Sequence, residues 1–484
     1  MALGAGAVYV VAEAAAGKVV EAGTDGVGAV GAEDISAVTS GTGVAAAGAT
    51  GVAMVASESN GATPDPANAD NAGSGTKVAE ATAATLECDP WLRPWPWFRR
   101  QGRMFTRVTT QRLLLLLSSM LLFLCWHGAV PPPPGRTHIL LLSSWRSGST
   151  FAGQLFSQHP DAFYLMEPAK HVWYHLPGGS PELLQGPARN LLHALFRCER
   201  AALQDFVHQP QWASQIFMWP MSRALRSPPA CEAFRRGDIV RPVECQAHCD
   251  ASPFGKAAEA CITYSHVALK VVRFFQLEAL YPLLADPALD LRIIHLVRDP
   301  RAVYASRQLI SLYPDDLLIS RAHNATPNAR LVMRKVCHSQ AGMYLAALRH
   351  PPPALRGRYL LTRYEDLVRD PVGQVAEWYH YTGLASSPRL EAWVHNITHW
   401  SGPQDPEVLP VRRDASKVSQ AWRHQLSFHQ VQEVQEICKP AMEVFGYRPV
   451  SSEEEQRDLA KDLVLPREEI EAQMKGSSVF SDLH

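Results

Sequence analysis

The chain has 484 residues and a mass of 53.3 kDa, room for about three average domains. It carries 46 Lys+Arg against 47 Asp+Glu, which excludes an overall basic nucleic-acid binder, and nine cysteines are too few for a small disulfide scaffold. The balanced total hides three regimes. Residues 1–89 hold two basic and eleven acidic residues, residues 90–112 hold six arginines and no acid, and the remainder is nearly neutral.

Ala and Gly fill close to half of residues 1–87, with no apolar period of 2 or 3.6. Such a stretch buries too little surface to offset chain entropy, so residues 1–98 are expected to be disordered. They read as a spacer, as an upstream extension that is not translated, or as a regulatory tail. Residues 99–112 form an arginine-rich flank: Arg99, Arg100, Arg103, Arg107 and Arg112. Leu113–Val130 follows as 18 mostly apolar residues, and Pro131–Pro134 end it abruptly. This pattern predicts one transmembrane signal anchor with its N-terminal side in the cytosol. A cleaved signal peptide is the competing reading, but Trp126 and His127 form no small-residue cleavage site. Residues 131–137 then read as a short stem and 138–484 as a lumenal domain. A start at Met104 would leave 381 residues with the anchor at the N-terminus.

Asn324-Ala-Thr and Asn396-Ile-Thr are glycosylation acceptors, which agrees with a lumenal location. Seven cysteines lie beyond the anchor, so at least one is left over from disulfide pairing. Cys245-x3-Cys249 lacks the second pair or histidine spacing of a zinc site, so disulfide chemistry is expected there.

The lumenal part reads as α/β. His138–Ser144, Val267–Val272, Leu291–Val297 and Tyr359–Thr362 are apolar runs suited to buried strands. Thr150–His159, Arg330–Leu348, Val372–Tyr381 and Phe428–Phe445 read as helices. The alternation predicts a central parallel sheet flanked by helices.

The first chemical signal is Trp145, Arg146, Ser147, Gly148, Ser149, Thr150 and Phe151, between a strand and a helix. Backbone N–H groups at such a turn point at an anion, and the helix N-terminus adds positive potential. Gly148 permits close approach, the hydroxyls donate, and Arg146 adds a cationic fork. The Lys and first Gly of a Walker A loop are missing, which disfavours an ordinary NTPase. A polar turn without a ligand is the plain alternative. The second signal is Leu296, Val297, Arg298, Asp299, Pro300, Arg301, Ala302, Val303 and Tyr304, with Ser306 beyond. Pro300 suits a helix start. Arg298 and Ser306 would clamp a second phosphate, unless Arg298 and Asp299 only pair with each other.

These stretches make the chain resemble the Golgi carbohydrate sulfotransferases, in the galactose/N-acetylgalactosamine/N-acetylglucosamine 6-O-sulfotransferase family. The resemblance runs over 104–467, through SSWRSGSTFAGQLFSQHPDAFYLMEPAKHVW (143–173), YSHVALKVVRFF (264–275), LYPLLADPALDLRIIHLVRDPRAV (280–303), EAWVHNITH (391–399), VSQAWRH (418–424) and EEEQRDLAKDLVLPR (453–467). It is strongest to the intestinal and corneal N-acetylglucosamine 6-O-sulfotransferases. It implies a P-loop-like sulfotransferase fold and 3′-phosphoadenosine 5′-phosphosulfate (PAPS) as donor. By it, Trp145–Phe151 would bind the 5′-phosphosulfate, and Leu296–Tyr304 with Ser306 the 3′-phosphate. It also implies a glycan acceptor with N-acetylglucosamine and residence in the Golgi membrane; a homo-oligomer is left open. No metal and no nucleic acid are expected.

The implied reaction needs positioning, charge stabilisation and a general base. Arg146 is placed to neutralise the leaving phosphate. Glu167 is the expected base and His171 the runner-up, each with a purely structural role as its alternative. Four positions depart from the family: Lys170 for Trp, Val271 for an acid, Arg226 for Cys, and Lys417 for the Asn of a sequon. The expectation is that Lys170 depresses the Glu167 pKa, that Lys170 and Val271 bear on activity, and that Arg226 leaves one cysteine unpaired. A carbohydrate-binding protein that has lost catalysis is the alternative. A lumenal kinase or glycosyltransferase is weaker, because the domain has no Walker lysine and no metal-binding D-x-D.

Overall fold

The computed structural model describes residues 135–470, apart from 177–178, 200, 208, 210, 242–243, 322–325 and 403–410. The expected tail, arginine flank, anchor, most of the stem and Asn324 lie outside the described residues. Among those described, no helix is long and apolar enough to cross a membrane.

Five strands form one all-parallel sheet in the order β2-β3-β1-β4-β5. They are β1 (Thr137–Ser143), β2 (Ala162–Met166), β3 (His266–Val271), β4 (Asp290–Val297) and β5 (Tyr359–Arg363). Side chains alternate between faces, and both faces are covered. Leu140 and Leu142 of β1 enter one apolar cluster with Phe163, Leu165, Leu269 and Val271. Ile139 and Leu141 enter the other with Tyr164, Met166, Ala268 and Ile294. Each Leu, Ile, Val, Phe or Met side chain among these contributes roughly 1.5–3 kcal/mol when taken from water.

The helices used below are α1 (Ser149–Ser157), α2 (Lys170–His175), α3 (Pro181–Phe196), α4 (Pro300–Gln308), α5 (Tyr313–Ser320), α6 (Ala329–Arg349), α7 (Tyr364–Arg369), α8 (Pro371–Thr382), α9 (Phe428–Ile437) and α10 (Lys439–Phe445). α3 covers the first face through Leu184, Leu191, Leu192 and Phe196, while α1 and α8 cover the second through Phe156 and Trp378. Caps explain several starts. Asp299 accepts from Arg301 N–H with Pro300 at the first turn of α4, and Asn328 accepts from Leu331 N–H at α6.

Two expectations change. The strand β2 was not expected, because five residues between turns carry too little pattern. The helix expected over Phe428–Phe445 is two helices, broken at Cys438. Pro440 lacks an N–H and its ring crowds the preceding turn, which favours the break here.

Disulfides join Cys198–Cys261, Cys231–Cys249 and Cys337–Cys438, and Cys245 is free and exposed. Arg226, where the resemblance implies a cysteine, donates to the carbonyls of Arg241 and Glu244, beside Cys245. The unpaired thiol and the substituted position therefore lie together.

Candidate active site

The carboxyl ends of the strands open on a cleft of about 420 Å³. Ligands of open parallel sheets bind at that edge. The turn after β1 forms one wall. Arg146 and Gly148 both hold left-handed backbone, with φ of 68° and 84°. A side chain at Gly148 would also run into the Tyr364 ring, so only glycine fits there. Trp145, Arg146, Gly148, Ser149, Thr150 and Phe151 all border the cleft. Ser147 does not: it is buried and its hydroxyl bonds Ser144 at 2.7 Å.

The turn after β4 contributes less surface. Of the second predicted stretch, only Arg298 and Ser306 border the cleft. Arg298 donates to the carbonyls of Arg146 at 3.0 Å and Val418 at 2.9 Å, and lies over the Tyr364 ring. Ser306 accepts from Arg146 Nε at 2.9 Å. Asp299 pairs with Arg301 at 2.7 Å, not with Arg298. Arg301 is fully buried, lies over Trp422, and donates to Gln435 and the Arg448 carbonyl. Leu296, Val297, Ala302 and Val303 are buried in apolar clusters, and Tyr304 packs against two of them. Those positions shape the turn from behind.

The cationic side chains crowd one another. Burial, then Arg298, Arg413 and Arg307, lowers the Arg146 pKa to about 10. Arg298 Nε, Arg273 Nε and Arg307 Nη1 are buried N–H donors without a partner. Like charges held together with unsatisfied donors suit a ligand with several anionic groups.

Glu167 follows β2, in left-handed backbone, and its N–H donates to the Lys270 carbonyl at 2.8 Å. Its carboxylate pairs with Lys270 through Oε1 and with Arg273 at 2.5 Å through Oε2. Burial alone would raise its pKa, but Lys270 and Arg273 outweigh that and hold it at about 2. Lys170 bonds Asp315 at 2.9 Å and reaches Glu167 only through space, while the cations bonded to Glu167, and the main causes of its lowered pKa, are Lys270 and Arg273. Asp315 also pairs with Arg273 at 2.8 Å and accepts from Trp145 Nε1 at 2.9 Å. Burial opposes ionisation of Asp315, yet Arg273 and Lys170 keep its carboxyl below the ordinary range.

Lys270, Arg273 and Asp315 were missed as site residues. The run Lys270-Val271-Val272-Arg273 sits at a strand end and was a signal; Asp315 carries no motif. Val271 is fully buried in the core cluster opposite Lys270, so the departure there does not face the cleft. His171 Nε2 accepts from the Phe217 N–H at 3.0 Å, and burial lowers its pKa to about 4. It does not border the cleft. Asn396 is exposed on a helix, as a glycan acceptor requires. Among the described residues no His/Cys/Asp/Glu group could hold a metal ion.

Comparisons with known proteins agree with this chemistry. The family model described as "Sulfotransferase domain" matches residues 136–446. Carbohydrate sulfotransferase 5 of Mus musculus is 52% identical over 340 residues, covering 69% of this chain and 86% of its own. Carbohydrate sulfotransferase 6 of Homo sapiens is 51% identical over 340 residues, with 69% and 86% covered. Carbohydrate sulfotransferase 4 of Mus musculus is 42% identical over 334 residues, with 68% and 86% covered. The turn, the arginines and the paired carboxylates thus lie within the matched domain, and the chain belongs to the carbohydrate sulfotransferase family of enzymes.

Proposed function

We propose that this enzyme transfers a sulfuryl group from PAPS to the 6-hydroxyl of N-acetylglucosamine in glycans, of keratan sulfate or mucin type. The observation that carries this is the crowding of Arg146, Arg298 and Arg413 beside a left-handed glycine turn, in one cleft with Glu167. PAPS, when bound, supplies an activated sulfuryl group whose leaving group is a phosphate. Trp145–Phe151 would hold its 5′ end, and Arg298 with Ser306 its 3′-phosphate. Backbone N–H groups and the α1 N-terminus favour negative charge at the turn, and Arg146 offsets charge on the leaving oxygen.

Glu167 accepts the proton of the sugar hydroxyl. With a pKa of about 2 it is already ionised at physiological pH. Lys270 and Arg273 fix its orientation while lowering its proton affinity. A Golgi lumenal domain on a single-pass type II anchor is part of the proposal. Three disulfides and the exposed Asn396 support it.

The test is transfer of radiolabelled sulfate from PAPS to N-acetylglucosamine-terminated oligosaccharides, with Arg146→Ala as control. Labelled 6-sulfated sugar from the wild type, and at least about tenfold less from the variant, is expected. Equal silence of both while glycan still binds would overturn the proposal.

A further inference from the structure

We infer that Tyr364 is a positioning residue: its ring sets the separation of the two turns at the cleft, and the cleft thereby measures the spacing between the donor's two phosphates. The inference rests on the PAPS reading above and adds to it a residue outside both turns.

It begins from strand register. β4 and β5 run parallel, with Val297 abreast of Arg363. One residue further on, Arg298 starts the second turn and Tyr364 starts α7. β1 lies on the other side of β4, with Ser143 abreast of Leu296. Tyr364 therefore has to reach past the second turn to touch the first, and it does. Its ring packs so closely on Gly148 that a Cβ there would collide with Cδ2 and Cε2 of the ring. The Arg298 guanidinium lies 4.7 Å from the ring centre. One ring is thus in contact with both turns, and the Arg298 bond to the Arg146 carbonyl closes the circuit.

The ring itself has little freedom. Tyr364 is 2% exposed. Glu365, the next residue, accepts from the Asp299 N–H at 3.1 Å and from the Tyr447 hydroxyl at 2.8 Å. Arg363, the residue before, bonds Asp366 and donates to the carbonyls of Phe445 and Leu465. A tyrosine has only two side-chain torsions, so a ring anchored on both flanks acts as a rigid spacer. Nη1 and Nη2 of Arg298 are occupied by the carbonyls of Arg146 and Val418, while Nε is buried without a partner. Held by the ring, that Nε keeps a fixed distance from the N–H groups of the glycine turn. A ligand whose two anions match the distance bonds at both ends; one with another spacing loses an end. The plain alternative is that Tyr364 only fills the apolar cluster it shares with Phe151 and Leu296.

The experiment is calorimetric titration of the full chain with adenosine 3′,5′-bisphosphate and with adenosine 2′,5′-bisphosphate. The isomers carry the same charge and differ only in where the second phosphate sits. The wild type should bind the 3′,5′ isomer at least about tenfold more tightly. Tyr364→Leu, which still fills the cluster, should bring the ratio near one, mostly by weakening the 3′,5′ isomer. Tyr364→Phe should keep the ratio, because the ring and not the hydroxyl is the spacer. Loss of packing alone would weaken both isomers alike. A folded Tyr364→Leu chain that keeps the wild-type ratio therefore overturns the inference, as does a Tyr364→Phe chain that loses it. If Tyr364→Leu fails to fold, Tyr364→Met takes its place under the same criterion. Equal affinity of the wild type for the two isomers overturns the inference while leaving the PAPS reading intact. Binding of neither isomer overturns the PAPS reading itself.

Discussion

The turn after β1 and the turn after β4 both lead a buried strand into a helix, yet they direct their polar atoms in opposite ways. The first uses left-handed backbone at Arg146 and Gly148 to present side chains and N–H groups to the cleft. The second caps its helix with Asp299, folds Arg301 back onto Asp299, and offers the cleft Arg298 and Ser306. One turn is a surface for a ligand; the other is a brace that delivers two side chains. Similar-looking stretches of sequence therefore carry unequal shares of binding and stability.

Substitutions that separate binding from folding test that contrast. Gly148→Ala should be the most severe. A left-handed alanine costs about 1–2 kcal/mol before the Tyr364 clash is added, so donor binding and transfer should fall below detection. Calorimetric titration with adenosine 3′,5′-bisphosphate checks this, and near-normal affinity would refute it. Glu167→Gln should retain donor binding and lose about 10²–10⁴ in kcat; full turnover would remove Glu167 as the base.

The pair Arg146→Ala and Arg301→Ala divides the two turns most directly. The first should weaken donor binding with little change in melting temperature. The second should destabilise the fold by about 3–5 kcal/mol, because it leaves Asp299 buried without its partner. Denaturant melts read alongside donor affinity would show the opposite pattern if both turns were ligand surfaces.

A pH series gives a smaller, graded effect. Burial first of all holds His138, His171 and His295 neutral, with pKa values near 4 against an ordinary 6.5. The unfolded chain then binds more protons in that window, so stability should fall as pH drops from 6.5 toward 4. Glu167, lowered from 4.5 to about 2, contributes stability that is present above 4.5 and lost toward 2. Urea midpoints that rise on acidification through this range would contradict both. Cys245→Ser should change least, within about 0.5 kcal/mol, because its thiol is exposed and unpaired. It should remove the alkylation of residue 245 seen by peptide mapping.

Four of the five strands were legible because runs such as Ile139–Leu142 are apolar on both faces, as a covered parallel strand must be. The edge strand Ala162–Met166 was too short to announce itself. The glycine turn was legible from its residue types, since few other needs place Arg, Gly and three hydroxyls between a strand and a helix. Asp315 was not, because it meets Lys170 across 145 residues of sequence and takes its meaning from three partners no local pattern contains. The unequal use of the second turn was equally hidden: whether Asp299 pairs with Arg298 or Arg301 depends on which side the helix presents to the core.

The Trp145–Asp315 hydrogen bond ties the first residue of the glycine turn to a carboxylate that also pairs with Lys170 and Arg273. Its consequence is kinetic. Any shift of that turn on filling pulls on Asp315, and through it on Lys170 and Arg273. The two substrates of this enzyme should therefore sense each other, with initial-rate patterns that show synergy between them rather than independent binding.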